Sequence, residues 1–152
     1  MIRWIAKDKE KSQITNAILN ELPDWFGIES AIKDYVEQVK QYPMIVWEDN
    51  EVLGFVSIRE TSAYAIDIYV MGILEKAHRK GIGRKLIAEV KTYGIQQGYR
   101  YLTVKTLDPL RESEAYKRTR LFYESVGFVK LETFPTLWDK SNPCLLLIMN
   151  IK

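Results

Sequence analysis

One cysteine and one histidine in 152 residues leave several chemistries without their parts. Cys144 has no partner for an internal disulfide, and a reducing compartment suits it. A single cysteine and a single histidine far apart in the chain assemble no zinc site. Ser57, Ser62 and Ser125 lack the glycine elbow of a Ser-His-Asp hydrolase. Net charge is also scarce, at +2, and the basic residues form no long stripe, so no nucleic-acid partner is expected. No apolar run approaches the ~20 residues that span a bilayer. The opening MIRWIAKDKEKS has no apolar core followed by a small-residue cleavage site, so no signal peptide is expected. These absences point to a soluble, cytoplasmic protein. What is present is ordinary: 47% hydrophobic residues, enough for a core without disulfides or metal. With no repeat, no low-complexity tract and no Pro/Gly/Ser linker, residues 1–152 read as a single domain.

Ile2 to Ala6 reads as a short strand. Ser12 is a helix cap candidate, with Ile14, Ile18 and Leu22 on one stripe before Pro23 ends the helix. A second helix runs from about Glu29 to Val39, and Tyr42-Pro43 breaks it. Met44–Trp47 and Val52–Ile58 form a hairpin around the polar turn Glu48-Asp49-Asn50-Glu51. Ala65–Ile73 is a long strand, with Ile66, Ile68 and Val70 on one face and Asp67, Tyr69 and Met71 on the other. A helix follows from Gly81 to Gln97, with Gly98 as its stop. Tyr101–Thr106 is a strand, and Glu114–Val126 is a helix that Gly127 stops. Phe128–Phe134 and Cys144–Ile151 are final strands joined by a loop that contains Pro and Trp. The order β-α-α-β-β-β-α-β-α-β-β predicts an α/β (α+β) fold, a mixed sheet flanked by about four helices.

The segment His78-Arg79-Lys80-Gly81-Ile82-Gly83-Arg84-Lys85 follows a strand and opens a helix. First-turn amides have no intrahelical partner and carry partial positive charge, so they attract anions. Glycines at 81 and 83 let phosphate oxygens approach the backbone. Cations at a helix N-terminus are unfavourable by roughly 0.3–1 kcal/mol each unless something anionic neutralises them. Two readings stay open on this segment alone: a phosphate cradle, or a plain tight turn with solvated basic residues. No Lys-Ser/Thr pair follows the glycines, as a Walker A loop needs, and the third glycine of a dinucleotide fingerprint is missing.

His78-Arg79-Lys80-Gly81-Ile82-Gly83 resembles the Gln/Arg-x-x-Gly-x-Gly/Ala signature of the GCN5-related N-acetyltransferases, the GNAT family. Thr119-Arg120-Leu121-Phe122-Tyr123-Glu124-Ser125-Val126-Gly127-Phe128 resembles that family's Ala-x-x-Phe-Tyr-x-x-x-Gly-Phe helix. The two motifs lie about forty residues apart and bracket one crossover, and the element order agrees along nearly the whole chain. The chain departs from the pattern in three places: His78 stands for Gln or Arg, Tyr116 for the frequent Asn, and Thr119 for the frequent Ala.

The resemblance implies a mostly antiparallel sheet with splayed central parallel strands, Ala65–Ile73 and Tyr101–Thr106. It implies acetyl-CoA as cosubstrate, no metal, and direct attack by a primary amine of a small molecule or peptide. Met71 and Ile73 would pair with the pantetheine arm, and the Met71 amide would polarise the acetyl carbonyl. His78, Arg79, Lys80, Gly81, Ile82, Gly83 and Arg84 would hold the pyrophosphate, with Thr119 and Tyr123 also at the cofactor. Asp67, eleven residues before His78, stands at the spacing where some members carry a basic Glu; a plain strand carboxylate is the competing reading. Tyr123 is the acid candidate, since a phenol of pKa ~10 can return a proton to a thiolate whose conjugate acid lies near 8.5. Packing is its competing reading. Trp25, Phe26, Tyr35 and Trp138 are candidate acceptor walls, and Asp24, Glu29 or Asp139 candidate cation attractors; core aromatics and solvated acids are the plainer reading. Homodimers are common in the resembled family. A non-catalytic acetyl-CoA-binding module on the same fold is the alternative function.

Overall fold

A computed structural model describes all 152 residues. The elements are β1 (Ile2–Ile5), α1 (Asp8–Asn20), α2 (Glu29–Gln38), β2 (Met44–Asp49), β3 (Glu51–Glu60), β4 (Ala65–Ile73), α3 (Ile82–Gln96), β5 (Tyr101–Leu107), α4 (Glu114–Ser125), β6 (Val129–Asp139) and β7 (Asn142–Asn150). The strands form a seven-stranded sheet in the order β1-β2-β3-β4-β5-β7-β6, mostly antiparallel with one parallel pair. No helix is long and apolar enough to cross a membrane. By internal contacts the chain divides into two compact units: residues 1–59 with 68–90, and residues 60–67 with 91–152.

In the first unit, β1 pairs with β2 (Ile2↔Trp47 to Ile5↔Met44) and β2 with β3 (Met44↔Ser57 to Trp47↔Gly54). The strands run up to Asp49 and restart at Glu51, so the turn is tighter than the polar run suggested; Asn50 takes a left-handed φ of 63° there. Helix α1 starts at Asp8 with Lys7 as its cap, five residues earlier than the Ser12 cap reading. Asp8 and Glu10 lie in its first turn, where carboxylates offset the helix dipole. The Ser12 hydroxyl instead donates to the Val36 carbonyl at 2.6 Å, tying α1 to α2. The core is Ile14, Ile18, Leu19 and Leu22 of the first helical segment against Met44, Val46, Phe55 and Val70 of the sheet.

Glycine makes that packing close. A Cβ at Gly72 would stand 3.0 Å from Ile18 Cγ2 and 3.2 Å from Leu22 Cδ1, so α1 rests directly on β4. On β3 the neighbouring Gly54 faces the other way: a Cβ there would stand 3.5 Å from Ile82 Cγ2 of α3 and 3.1 Å from Ile73 Cγ1. Gly72 thus lies on the α1 face and Ile73 on the α3 face. Strict alternation on β4 breaks just before this point. Tyr69 and Val70 are consecutive, yet both pack on the core that α1 and α2 cover. The expected face pattern therefore holds only up to Tyr69; beyond it the register flips, as a bulge does.

In the second unit, β7 pairs with β5 (Tyr101↔Asn150 to Leu107↔Cys144) and with β6 (Val129↔Ile148 to Phe134↔Cys144). The Pro- and Trp-containing stretch expected as loop is mostly strand. β6 continues through Pro135 and Trp138 to Asp139, with register shifts between Lys130 and Glu132 and between Phe134 and Asp139. The actual turn is Lys140-Ser141, closed by Asp139 Oδ1 accepting from the Ser141 amide at 2.8 Å. Proline is tolerated there because an interrupted strand leaves an amide position unpaired.

Thr106 on β5 is 3% exposed, and its hydroxyl has no hydrogen-bond partner. A buried hydroxyl without a partner costs about 1–3 kcal/mol. Thr106→Val removes the oxygen at nearly constant volume and is expected to raise the thermal midpoint, with a gain of about 1 kcal/mol in denaturant titration. A lowered midpoint would show that the hydroxyl is satisfied.

Candidate active site

The segment after β4 is fixed by short-range bonds. Leu74 N–H donates to Leu53 O at 2.9 Å, Glu75–Ala77 makes one 3-10 turn, and Ala77 is buried. Arg79 and Gly81 then take left-handed φ values of 64° and 78°, and α3 starts at Ile82. Left-handed backbone costs a non-glycine residue roughly 1–2 kcal/mol, so Arg79 is held there by its surroundings. Nothing lies within 4 Å of a Cβ built on Gly81, so the backbone is bare on that side. Gly83 is buried in the first turn of α3.

The basic residues around this turn divide into two sets. Arg79, Lys80 and Arg84 are exposed. His78 is half-buried, and Lys85, though exposed, lies against an aromatic ring. Lys85 Nζ sits 4.6 Å over the Trp47 ring, a cation–π contact that does not need an anion. His78 Nε2 is 2.7 Å from the Ile73 carbonyl, so that nitrogen carries the hydrogen and donates. The same ring stands edge-on to Trp25, 5.8 Å between centroids. The His78 side chain thus clips the turn to the end of β4 and to the segment between α1 and α2. The sequence reading gave His78 only a backbone role; its replacement of the usual Gln or Arg was the signal for this clip.

Met71 and Ile73 are half-buried at the end of β4. Nearby in this unit, Tyr35, Tyr42 and Tyr69 form an aromatic set, with Tyr35–Tyr69 at 5.3 Å and Tyr42–Tyr69 at 5.0 Å. Arg59 lies 4.9 Å over Tyr69, and Phe26 stands edge-on to Tyr35. Burial pushes the Tyr69 phenol up to about 12, and burial also raises that of Tyr35. Of the candidate acceptor walls, Trp25, Phe26 and Tyr35 belong to this unit. Trp138 lies in the other unit on β6, 47% exposed.

In the second unit Asp67 is 2% exposed. Its Oδ1 accepts from the Thr103 hydroxyl at 2.7 Å, and its Oδ2 stands 4.0 Å from Lys105 Nζ. Asp67 is therefore neither solvent-facing nor isolated. Thr119 donates to Ala115 O at 3.3 Å, a helix back-bond. Tyr123 is 7% exposed, its ring 5.5 Å from those of Phe122 and Phe128. Its carbonyl accepts from the Phe128 amide at 3.1 Å, just past Gly127 with φ 117°. Arg120 escaped the sequence reading. It is 9% exposed, and its Nη1 donates to Leu107 O at 2.7 Å, fastening the Tyr123 helix to the end of β5. Nothing in its spacing separated it from a solvated helix arginine. Asp139 is occupied by its own turn: the Asn142 side-chain hydrogen bond, then the turn amides, hold its carboxyl below the usual range. Cys144 is wholly buried, and burial pushes its thiol up to about 11, so it stays protonated and non-nucleophilic at neutral pH.

The strand order, the β4–turn–α3 unit and the α4 helix together define an acetyltransferase fold, and residues 40–130 match the Acetyltransferase (GNAT) domain model. The chain belongs to the GNAT family and is an acyltransferase by class. It is 28% identical to the uncharacterised N-acetyltransferase YhfO of Bacillus subtilis over 111 residues, covering 70% of this chain and 74% of that one. A GNAT-family protein from Desulfovibrio desulfuricans superposes with TM-score 0.83 at 16% identity over 100% of both chains. A GNAT acetyltransferase from Elizabethkingia anophelis, with acetyl-CoA bound, superposes at 0.74 and 16% identity over 99% of this chain and 97% of its own. At these identities the structural likeness is one of fold.

Proposed function

We propose that this protein transfers the acetyl group of acetyl-CoA to a primary amine by direct attack within a ternary complex. The observation that carries the reading is the turn at 78–83, where Arg79 and Gly81 take left-handed conformations just before α3 and nothing lies within 4 Å of a Cβ built on Gly81. The pyrophosphate would lie on the amides of Gly81, Ile82 and Gly83, with Arg79, Lys80 and Arg84 around it. The backbone of Met71 and Ile73 would hold the pantetheine arm, and the Met71 amide would stabilise the oxyanion that forms at the acetyl carbonyl. His78 then serves through its ring as a brace for the turn, and Thr119 and Tyr123 would contact the cofactor, a role that the resemblance of their helix to the family motif supports.

Attack needs a neutral amine. Deprotonating an alkylammonium of pKa ~10.4 at pH 7 costs about 4.6 kcal/mol, which a base must offset. Asp67 takes that proton, directly or through water, with Thr103 fixing its orientation. Tyr123 returns a proton to the departing thiolate. The acetyl-CoA complex of the Elizabethkingia protein supports the donor, and the YhfO relative supports the N-acetyl reaction class. Calorimetry with acetyl-CoA and an amine panel read by thiol release test the proposal together. Saturable binding with turnover of at least one amine is expected. No binding at millimolar acetyl-CoA would end the reading, and binding without turnover of any amine would leave a non-catalytic module.

A further inference from the structure

We infer that Lys105 is a site of self-acetylation: its side-chain amine lies beside the buried Asp67 carboxylate, where an acceptor amine would be deprotonated. The inference rests on the reading of Asp67 as the proton acceptor. Lys105 Nζ is 4.0 Å from Asp67 Oδ2, with the lysine side chain 29% exposed and the aspartate 2%. Thr103 and Lys105 stand two apart on β5, and both address Asp67, one at each carboxylate oxygen.

Other lysines are placed differently. Lys33, Lys40, Lys76 and Lys130 pair with carboxylates that are 85%, 68%, 55% and 41% exposed. Those carboxylates face water. At 4.0 Å the Lys105 ammonium is attracted to Asp67 but is outside hydrogen-bond range, so its four-methylene stem is not locked. The other nucleophile nearby, Cys144, is wholly buried and its thiol stays protonated, so nitrogen rather than sulfur is the reacting atom.

The step balances with acetyl-CoA alone. Asp67 takes one ammonium proton, and the neutral nitrogen adds to the thioester carbonyl. Collapse breaks the C–S bond, and coenzyme A leaves as a thiolate that collects the second nitrogen proton. Nε-acetyl-Lys105, coenzyme A thiol and a protonated Asp67, which releases its proton to water, are the products. Acetylation removes the cation beside a buried carboxylate, so it alters the pair that amine turnover would use.

The test is to incubate the full chain with acetyl-CoA and no amine, then map acetylated peptides by mass spectrometry over time. Intramolecular placement gives high effective concentration, so Lys105 is expected to label at least about tenfold faster than exposed Lys33 and Lys140. Asp67→Asn is expected to bring Lys105 down to the exposed-lysine rate while leaving Lys33 and Lys140 unchanged. Labelling of Lys105 no faster than Lys33, or labelling indifferent to Asp67→Asn, overturns the inference. The rate comparison in the parent protein needs no variant, so misfolding of Asp67→Asn does not shield it. Acetyl-CoA calorimetry and amine turnover on the same sample separate the outcomes: if both are intact and Lys105 is unmodified, only this inference falls. If acetyl-CoA does not bind, both readings fall.

Discussion

A Gly83→Glu protein is expected to bind acetyl-CoA at least about a hundredfold more weakly than the parent, a loss of roughly 2.7 kcal/mol. Gly83 lies in the first turn of α3, two residues after Gly81 and its left-handed φ of 78°. A glutamate there puts a carboxylate where the diphosphate would lie, so it both fills the space and repels the charge. A first-turn glutamate is favourable to the helix dipole by about 0.3–1 kcal/mol, but Gly83 is buried, so only a loss of affinity in a variant that is still folded counts. Circular dichroism checks the fold of the variant, and calorimetry on the folded protein is expected to show the affinity lost. Lys85→Met is the companion measurement. Lys85 is engaged over the Trp47 ring, so its removal is expected to change affinity less than about threefold, whereas a general cation effect would lower it as much as loss of an exposed arginine. Unchanged affinity in Gly83→Glu would refute the cradle at this turn.

Tyr123→Phe is expected to lower kcat about a hundredfold with KM for acetyl-CoA nearly unchanged. Positioned acids and bases contribute about 10²–10⁴-fold, and loss of an interaction made only in the transition state falls on kcat. The ring is 7% exposed and packed between Phe122 and Phe128, and phenylalanine keeps that packing. The thermal midpoint of the variant serves as the check that it is folded, and the collapse is expected in turnover. A Tyr123→Phe enzyme as fast as the parent would return Tyr123 to a packing role only. Loss of acetyl-CoA affinity with kcat preserved would make it a binding residue.

Regular elements were legible wherever local chemistry and burial agreed. Gly98 and Gly127 end their helices with φ of 86° and 117°, values that other residues resist, and both stops were readable as glycines. The β4 span was readable because Ile66, Ile68 and Val70 alternate with Asp67, Tyr69 and Met71 ahead of the glycine turn. The start of α1 was not, because Lys7 caps it without a side-chain bond and the available serine was recruited by Val36 on another helix. The second half of β6, Pro135–Asp139, was missed for a related reason. β6 is exposed along most of its length, so no burial alternation marks it, and Pro135 argues locally against a strand. The flip at Tyr69–Val70 was invisible because either residue suits either face; only the packing of Tyr69 on Tyr35 decides it. At the candidate site, glycine and tyrosine positions carried a family pattern. The partners that orient them did not. The Ile73 carbonyl, the Thr103 hydroxyl and the Arg120 bond to Leu107 each depend on which segments meet in space.

The irregular β6 has a bearing on how this protein behaves at high concentration. It is the last strand of the sheet, with β7 as its neighbour, and an eleven-residue edge of open amides and carbonyls is a template for another chain's strand. Its two register shifts break the repeat that such a template needs, and Pro135 withholds an amide near its middle. Lys130, Glu132 and Asp139 add charge along a segment that also exposes Leu131, Leu137 and Trp138. The irregularities that hid the second half of this strand from its sequence are thus also what interrupt an exposed, partly apolar edge.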